Sequence, residues 1–240
     1  MSKTLRIAGW MMVWAGGLVL AFLAYQLFGT DLLNARAQDR AEARLEERFE
    51  EVRAELPPVA STAPTPTTPT APATTSSTLP EVELYEEPAA PEGEPFGMIR
   101  IPEIGLADVL FAGVDRETLK KGPGHMPWTP LPGQPGNAVI SGHRTTYGQP
   151  FFSLDELEPG DEIIVETALG EHVYAVRQTI IVLPHDVWVT DPRAGAWLTL
   201  TTCHPRFSAA ERMIVFAELV EGPNLEYVEA HHQAGLEDVS

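Results

Sequence analysis

Trp197-Leu-Thr-Leu-Thr-Thr-Cys203, followed after the loop His204-Pro-Arg-Phe-Ser-Ala-Ala-Glu211 by Arg212-Met-Ile-Val-Phe-Ala-Glu-Leu219, reads as two β-strands joined by one connection. In the first arm Leu198 and Leu200 alternate with Thr199, Thr201 and Cys203, and a period of two gives one apolar and one more polar face. If the arms pair antiparallel with Cys203 across from Arg212, the two side chains project from one face. The sequence permits that register without imposing it.

Similar short β-like runs precede this pair: Gly97–Ile101, Leu106–Phe111, Ala138–Ser141, Asp161–Val165 and Val173–Val182. Gly and Pro punctuate them, as in Leu131-Pro-Gly-Gln-Pro-Gly136 and Glu158-Pro-Gly160. Helical signal is thin in this region. Asp115 caps a short run to Lys121, and Phe151–Leu157 could form a turn. Many short strands with few helices predict a mainly β head over residues 95–222, an antiparallel barrel or sandwich.

The segments before the head differ in kind. Lys3 and Arg6 precede an uncharged apolar run from Ile7 to Thr30, long enough for the roughly 20 residues a membrane span needs. Residues 1–30 therefore read as a cytoplasmic flank and retained signal anchor, and basic residues on the N-terminal side place the rest outside the cell. Over residues 31–56, Ala41, Leu45, Phe49, Val52 and Leu56 fall on one helical face, with Arg40, Arg44 and Arg48 interleaved among glutamates. The reading is a solvated helical stalk, with a short coiled coil as its rival. Residues 57–94 begin Pro/Thr-rich, continue with six Glu and no base over 81–94, and are predicted to be a disordered linker. The last segment, 223–240, reads as a flexible tail. The net charge of −18 comes without a basic stripe, which argues against nucleic acid as a partner.

Cys203 is the chain's single cysteine. It cannot form an internal disulfide, and outside the cytosol an unpaired thiol is open to oxidation. Such a group is either buried or used. An ordinary thiol, with a pKa near about 8.5, is only a few per cent thiolate at neutral pH, so a catalytic cysteine needs a nearby proton acceptor or cation. Acyl transfer also needs donors for the oxyanion that forms on the attacked carbonyl. Taken singly, a strand-end Cys is more often a small hydrophobe, and a His or Arg more often a surface or hydrogen-bonding residue. His125, His172, His185 and His204 support only that reading.

The surrounding words change the balance. Thr199-Leu-Thr-Thr-Cys203 resembles the TLxTC signature of the sortases. Ser141-Gly-His143-Arg-Thr-Thr-Tyr-Gly148 is similar to the histidine motif of class E sortases, and Ser208-Ala-Ala-Glu-Arg212-Met-Ile-Val215 to the segment with the family's arginine. Pro130–Asn137 and Asp186-Val-Trp188 agree with the resemblance. It implies an eight-stranded β-barrel and a cysteine transpeptidase. Cys203 would attack the Thr–Gly bond of a C-terminal sorting signal, LAxTG or LPxTG in type, and form a thioester. His143 would be the acid and base, Arg212 would hold the substrate backbone or oxyanion, and Thr202, Thr145 and Tyr147 are expected substrate contacts. The implied partners are secreted proteins bearing the signal, a peptidoglycan precursor amine and the membrane, with no cofactor.

Two rivals stand beside this. Papain-like peptidases place Cys before His in the chain, and L,D-transpeptidases usually carry Ser-His-Gly-Cys around the nucleophile, which this sequence lacks. The other rival is a non-catalytic, tethered wall-binding or adaptor head.

Overall fold

The computed structural model describes residues 3–24, 30–55 and 82–237. Its centre is a closed barrel of eight strands: β1 Pro95–Ile101, β2 Leu106–Ala112, β3 Gly124–His125, β4 Gly136–Ser141, β5 Glu162–Thr167, β6 Gly170–Val182, β7 Ala196–His204 and β8 Glu211–Glu221. Around the barrel they run β1-β2-β3-β4-β7-β8-β6-β5, with β5 closing onto β1. The barrel implied by the resemblance is present, but it is not wholly antiparallel: β2–β3 and β4–β7 pair in parallel. Alternation fills the interior. Ile99, Leu110, Ile140, Leu198, Leu200 and Val215 are all fully buried in one cluster. Closure removes the open sheet edges that would otherwise template pairing with another chain.

Helix α1 covers Lys3–Ala24 and α2 covers Thr30–Glu55. Among the described residues no helix is long and apolar enough to cross a membrane. The uncharged part of α1, Ile7–Ala24, rises about 27 Å, against about 30 Å of hydrocarbon. The rest of the apolar run, at 25–29, lies outside the described residues. So do Leu56 of the predicted stalk and most of the predicted linker, 57–81.

The stripe on α2 is where the structure departs most from the expected stalk. Ala41, Leu45, Phe49 and Val52 face neither solvent nor a second copy; they are buried against Val109, Phe111 and Ala168 of the barrel. Polar residues fasten the same face. Asn34 Nδ2 and Gln38 Nε2 each donate to Lys121 O at 2.8 Å, and Gln38 Oε1 accepts from Val109 N at 2.6 Å. Of the arginines interleaved with glutamates, Arg44 and Arg48 reach outward instead, to Glu94 and to Pro88 O, and Arg53 donates to Ala168 O. An amphipathic helix gains more by covering an apolar sheet face than by isolated i,i+4 pairs, each worth only ~0.2–0.5 kcal/mol.

Both ends of the head are likewise tied down. Residues 82–94 carry no regular structure up to Gly93, yet Tyr85 N donates to Asn224 Oδ1, and Gln134 Nε2 donates to Tyr85 O. The segment expected to be a flexible tail contains helix α3, Leu225–Glu237, with Asn224 and Val228 buried. Residues 238–240 lie outside the described residues.

A buried histidine sets an acid limit on this fold. His172 is fully buried on β6, with Thr167 Oγ1 at 3.1 Å from Nε2 and, among the described residues, no partner for Nδ1. Its ring lies where a Cβ at Gly133 would have to sit. Burial lowers its pKa from 6.5 to about 4. Between those values the unfolded chain binds the proton and the folded chain does not, so stability falls as pH drops through that window. The full cost is about 3 kcal/mol at 1.36 kcal/mol per pKa unit. Asp108 acts oppositely, since burial raises its pKa to about 6. The histidine's share is therefore the difference between the protein and its His172→Gln variant. Urea unfolding from pH 7 to 4 is expected to show a shallower acid loss in the variant; parallel curves would contradict it.

Candidate active site

The strand–loop–strand unit has the register that joins its two candidate residues. Cys203 of β7 lies opposite Arg212 of β8, with Thr201 opposite Ile214 and Leu200 opposite Val215. On the other side of β7, parallel pairing sets Ser141 of β4 against Thr201. Gly142 N continues that ladder to Thr201 O at 3.1 Å. His143 is two residues beyond Ser141, and Cys203 two residues beyond Thr201. All three candidates thus stand at one rim of the barrel.

His143 is held by its neighbours. Phe151 N donates to His143 O at 3.1 Å, and a Cβ at Gly142 would fall 2.6 Å from the Phe151 ring, so only glycine allows that ring to cover the turn. The imidazole lies 5.2 Å from the Tyr147 ring, and Tyr147 itself has φ 52°. His143 Nε2 is buried with no hydrogen-bond partner among the described residues. Burial lowers the pKa of His143 below 6.5, which keeps the ring neutral at pH 7 and able to take or give a proton. Cys203 is half-buried and unpaired. Arg212 Nη1 donates to Ala209 O at 3.1 Å and Glu211 O at 2.9 Å, both within its own loop.

Of the expected substrate contacts, Tyr147 packs on the imidazole and Thr145 is half-buried in the same loop. Thr202 is different. Its side chain has the same parity as Leu198 and Leu200, is 3% exposed, and donates through Oγ1 to Gly142 O at 2.8 Å. It ties the two strands together rather than presenting a free hydroxyl.

Sequence reasoning held Arg144 only in reserve for Arg212 and gave it no structural role, yet it is the most heavily used side chain here. It is buried, pairs with Asp155 at 2.8 Å, and bonds His204 Nδ1 at 3.0 Å; Nη1 also reaches Cys203 O at 3.5 Å. Arg206 joins the same carboxylate at 2.8 Å and lies over the Phe152 ring. This buried cation fastens the histidine loop to the cysteine strand, and removing its partner would leave an uncompensated charge. On the same side of the barrel as Cys203, the outer face of β8 is apolar. Val189, Ile214 and Phe216 are buried there, and Val187 and Trp188 on the connection between β6 and β7 are exposed. Among the described residues no group of three or more His, Cys, Asp or Glu is placed to hold a metal ion.

The Sortase domain family matches residues 99–220. Sortase SrtE1 of Streptomyces coelicolor is 34% identical over 145 residues, covering 54% of this chain and 41% of that protein. Sortase D of Bacillus subtilis is 35% identical over 133 residues, covering 53% and 65%. The chain thus spans less than two thirds of the length of these relatives. The structure of sortase E from Streptomyces avermitilis superposes with a TM-score of 0.52 at 36% identity, covering 55% of this chain and 91% of that one. With a family match over half its length on the barrel that carries Cys203, His143 and Arg212, the chain belongs to the sortase family, and its matches to sortases of class E support that class.

Proposed function

We propose that this protein is a cysteine transpeptidase anchored in the membrane by α1. It cleaves a C-terminal sorting signal of LAxTG or LPxTG type at the Thr–Gly bond and transfers the acyl group to a peptidoglycan amine. The reading is carried by one juxtaposition: a free thiol directly across a strand pair from a guanidinium, with an unpartnered imidazole nitrogen on the adjoining strand end. An adaptor head gives no reason for a free thiol, a guanidinium and an imidazole to meet at one rim.

The chemistry assigns each group a task. The Cys203 sulfur, its proton taken by His143, attacks the threonine carbonyl carbon; a C–S bond forms and the C–N bond to glycine breaks. The leaving amine takes its proton from the imidazolium. An incoming amine then attacks the thioester, C–N forms, C–S breaks, and the thiol regains a proton. Arg212 donates to the oxyanion in both halves. The exposed Trp188, whose ring lies 6.4 Å from that of Phe216 on β8, offers the signal's apolar residue a surface on the barrel face that carries Cys203 and Arg212.

The anchor rests on α1, whose Trp10, Met11, Met12, Val13, Trp14, Leu18 and Leu20 are all exposed. An apolar surface of that extent calls for lipid, and Lys3 and Arg6 at its start orient the barrel outward. The test uses the full chain in detergent with LAxTG and LPxTG peptides and an added amine, with products read by mass spectrometry. Cleaved and ligated peptide is expected; neither product from any sorting peptide would refute the reading.

A further inference from the structure

A second groove opens on the rim that carries His143 and Cys203. Phe111 of β2 is level with Gly124, Gly124 with Ser141, and Ser141 with Thr201. β2 runs opposite to β4 and β7, so stepping back from Phe111 to Asp108 leads towards the same rim as stepping forward to His143 and Cys203. There Leu106, Ala107 and Asp108 face Gln149, Phe152 and Ser153 across a cavity of about 320 Å³. The far wall belongs to the loop that follows His143. Phe152 O accepts from Arg144 Nε at 3.4 Å, and the same guanidinium reaches Cys203 O at 3.5 Å. One side chain therefore separates this groove from the nucleophile's strand.

Asp108 is the groove's single charged residue. Its carboxylate has no hydrogen bond or ion pair among the described residues, although it is partly buried beside apolar neighbours. An unpaired acid in such a place weakens the fold by itself and is relieved by a cation. Its upward-shifted pKa has burial as its cause, with no compensating charge nearby.

We infer that this groove is the subsite of the second substrate, and that Asp108 captures the incoming amine in its ammonium form, which loses its proton to the neutral His143 ring before its nitrogen attacks the thioester. The inference rests on the transpeptidase reading and deepens it. Of the two nucleophiles that can resolve a thioester, water needs no binding site, whereas a cationic amine present at limited concentration does. A carboxylate on the rim of the histidine loop meets that need, and an ion-paired hydrogen bond of this kind is worth about tenfold in affinity.

The experiment follows the partition of full-length protein between hydrolysed and ligated sorting peptide. Triglycine and Nα-acetyl-lysine amide serve as amines from a chain terminus and a side chain; hydroxylamine serves as a small nucleophile uncharged at neutral pH. Asp108→Asn is expected to raise the KM of at least one cationic amine about tenfold and to shift products towards hydrolysis, with the partition for hydroxylamine unmoved. The amine that shifts identifies the source. An unchanged partition for both amines, or an equal loss with hydroxylamine, would overturn the subsite. Should Asp108→Asn fail to fold by circular dichroism, Ser153→Phe narrows the same groove and carries the same expectation. Absence of any product from the unaltered protein would instead overturn the transpeptidase reading beneath it.

Discussion

Cys203→Ala is expected to abolish both cleavage and transfer of sorting peptides, a loss on the order of 10⁴-fold or more, while leaving the barrel folded. Cys203 is half-buried at the end of β7, outside the filled interior of Leu198 and Leu200, so shortening its side chain opens no core cavity. His143→Ala should be comparably inactive. The double variant should be little worse than either alone, because a nucleophile and its proton partner act as one unit. Initial rates with each peptide, set beside thermal unfolding, check this. Residual turnover within tenfold of the unaltered protein would remove Cys203 from the chemistry. Multiplicative losses in the double variant would show that the two residues act separately.

Arg212→Lys is expected to lower turnover by roughly 10²–10³-fold, the effect of removing one well-placed oxyanion donor. The charge is retained in this swap; the planar fork of donors is lost. In the resting structure Nη1 is occupied by Ala209 O and Glu211 O. Those contacts aim the guanidinium along its own loop and leave its other donors for a substrate oxygen. The unfolding midpoint should move little, since the residue is half-exposed and anchors no core group. Near-normal turnover in Arg212→Lys would reduce the residue to a point charge. A fall in stability matching the fall in rate would make it structural.

The strand pair was legible because its period of two runs over several residues and its register joins two unusual side chains. Of the eight strands, β3 was invisible: Gly124–His125 is two residues long, and two residues carry no period. The parallel pairing of β4 with β7 was hidden for another reason. Ala138–Ser141 reads as a buried strand, but nothing within it names a neighbour some sixty residues away. The structural role of Arg144 was hidden because an arginine beside a histidine looks like an ordinary surface charge. Its burial comes from Phe152, Asp155 and Met213, brought in by the loop and by β8. The docking of α2 did leave a trace. Val109-Leu-Phe111 is apolar on both faces of β2, the mark of a strand covered from both sides, and the stripe of α2 is what fits its outer face.

That docking alters how far the barrel can travel. Residues 56–81 leave one fastened element, α2, and return to another, the 82–94 segment held by Asn224. They close a loop and do not act as a leash. Doubling the length of such a loop costs only about 0.6 kcal/mol in closure entropy, so the Pro/Thr stretch can lengthen or shrink with little effect on reach. Reach is set upstream. Asn34 packs where a Cβ at Gly148 would have to sit and bonds to Lys121 O, so the rim that carries His143 is moored to α1 through the residues between Ala24 and Asn34 alone. Of that span, Thr30–Asn34 is already the first turn of α2, rising only about 1.5 Å per residue. In the anchored arrangement it works as a ruler, and inserted residues there, unlike residues inserted after Glu55, would raise the reacting rim above the lipid surface.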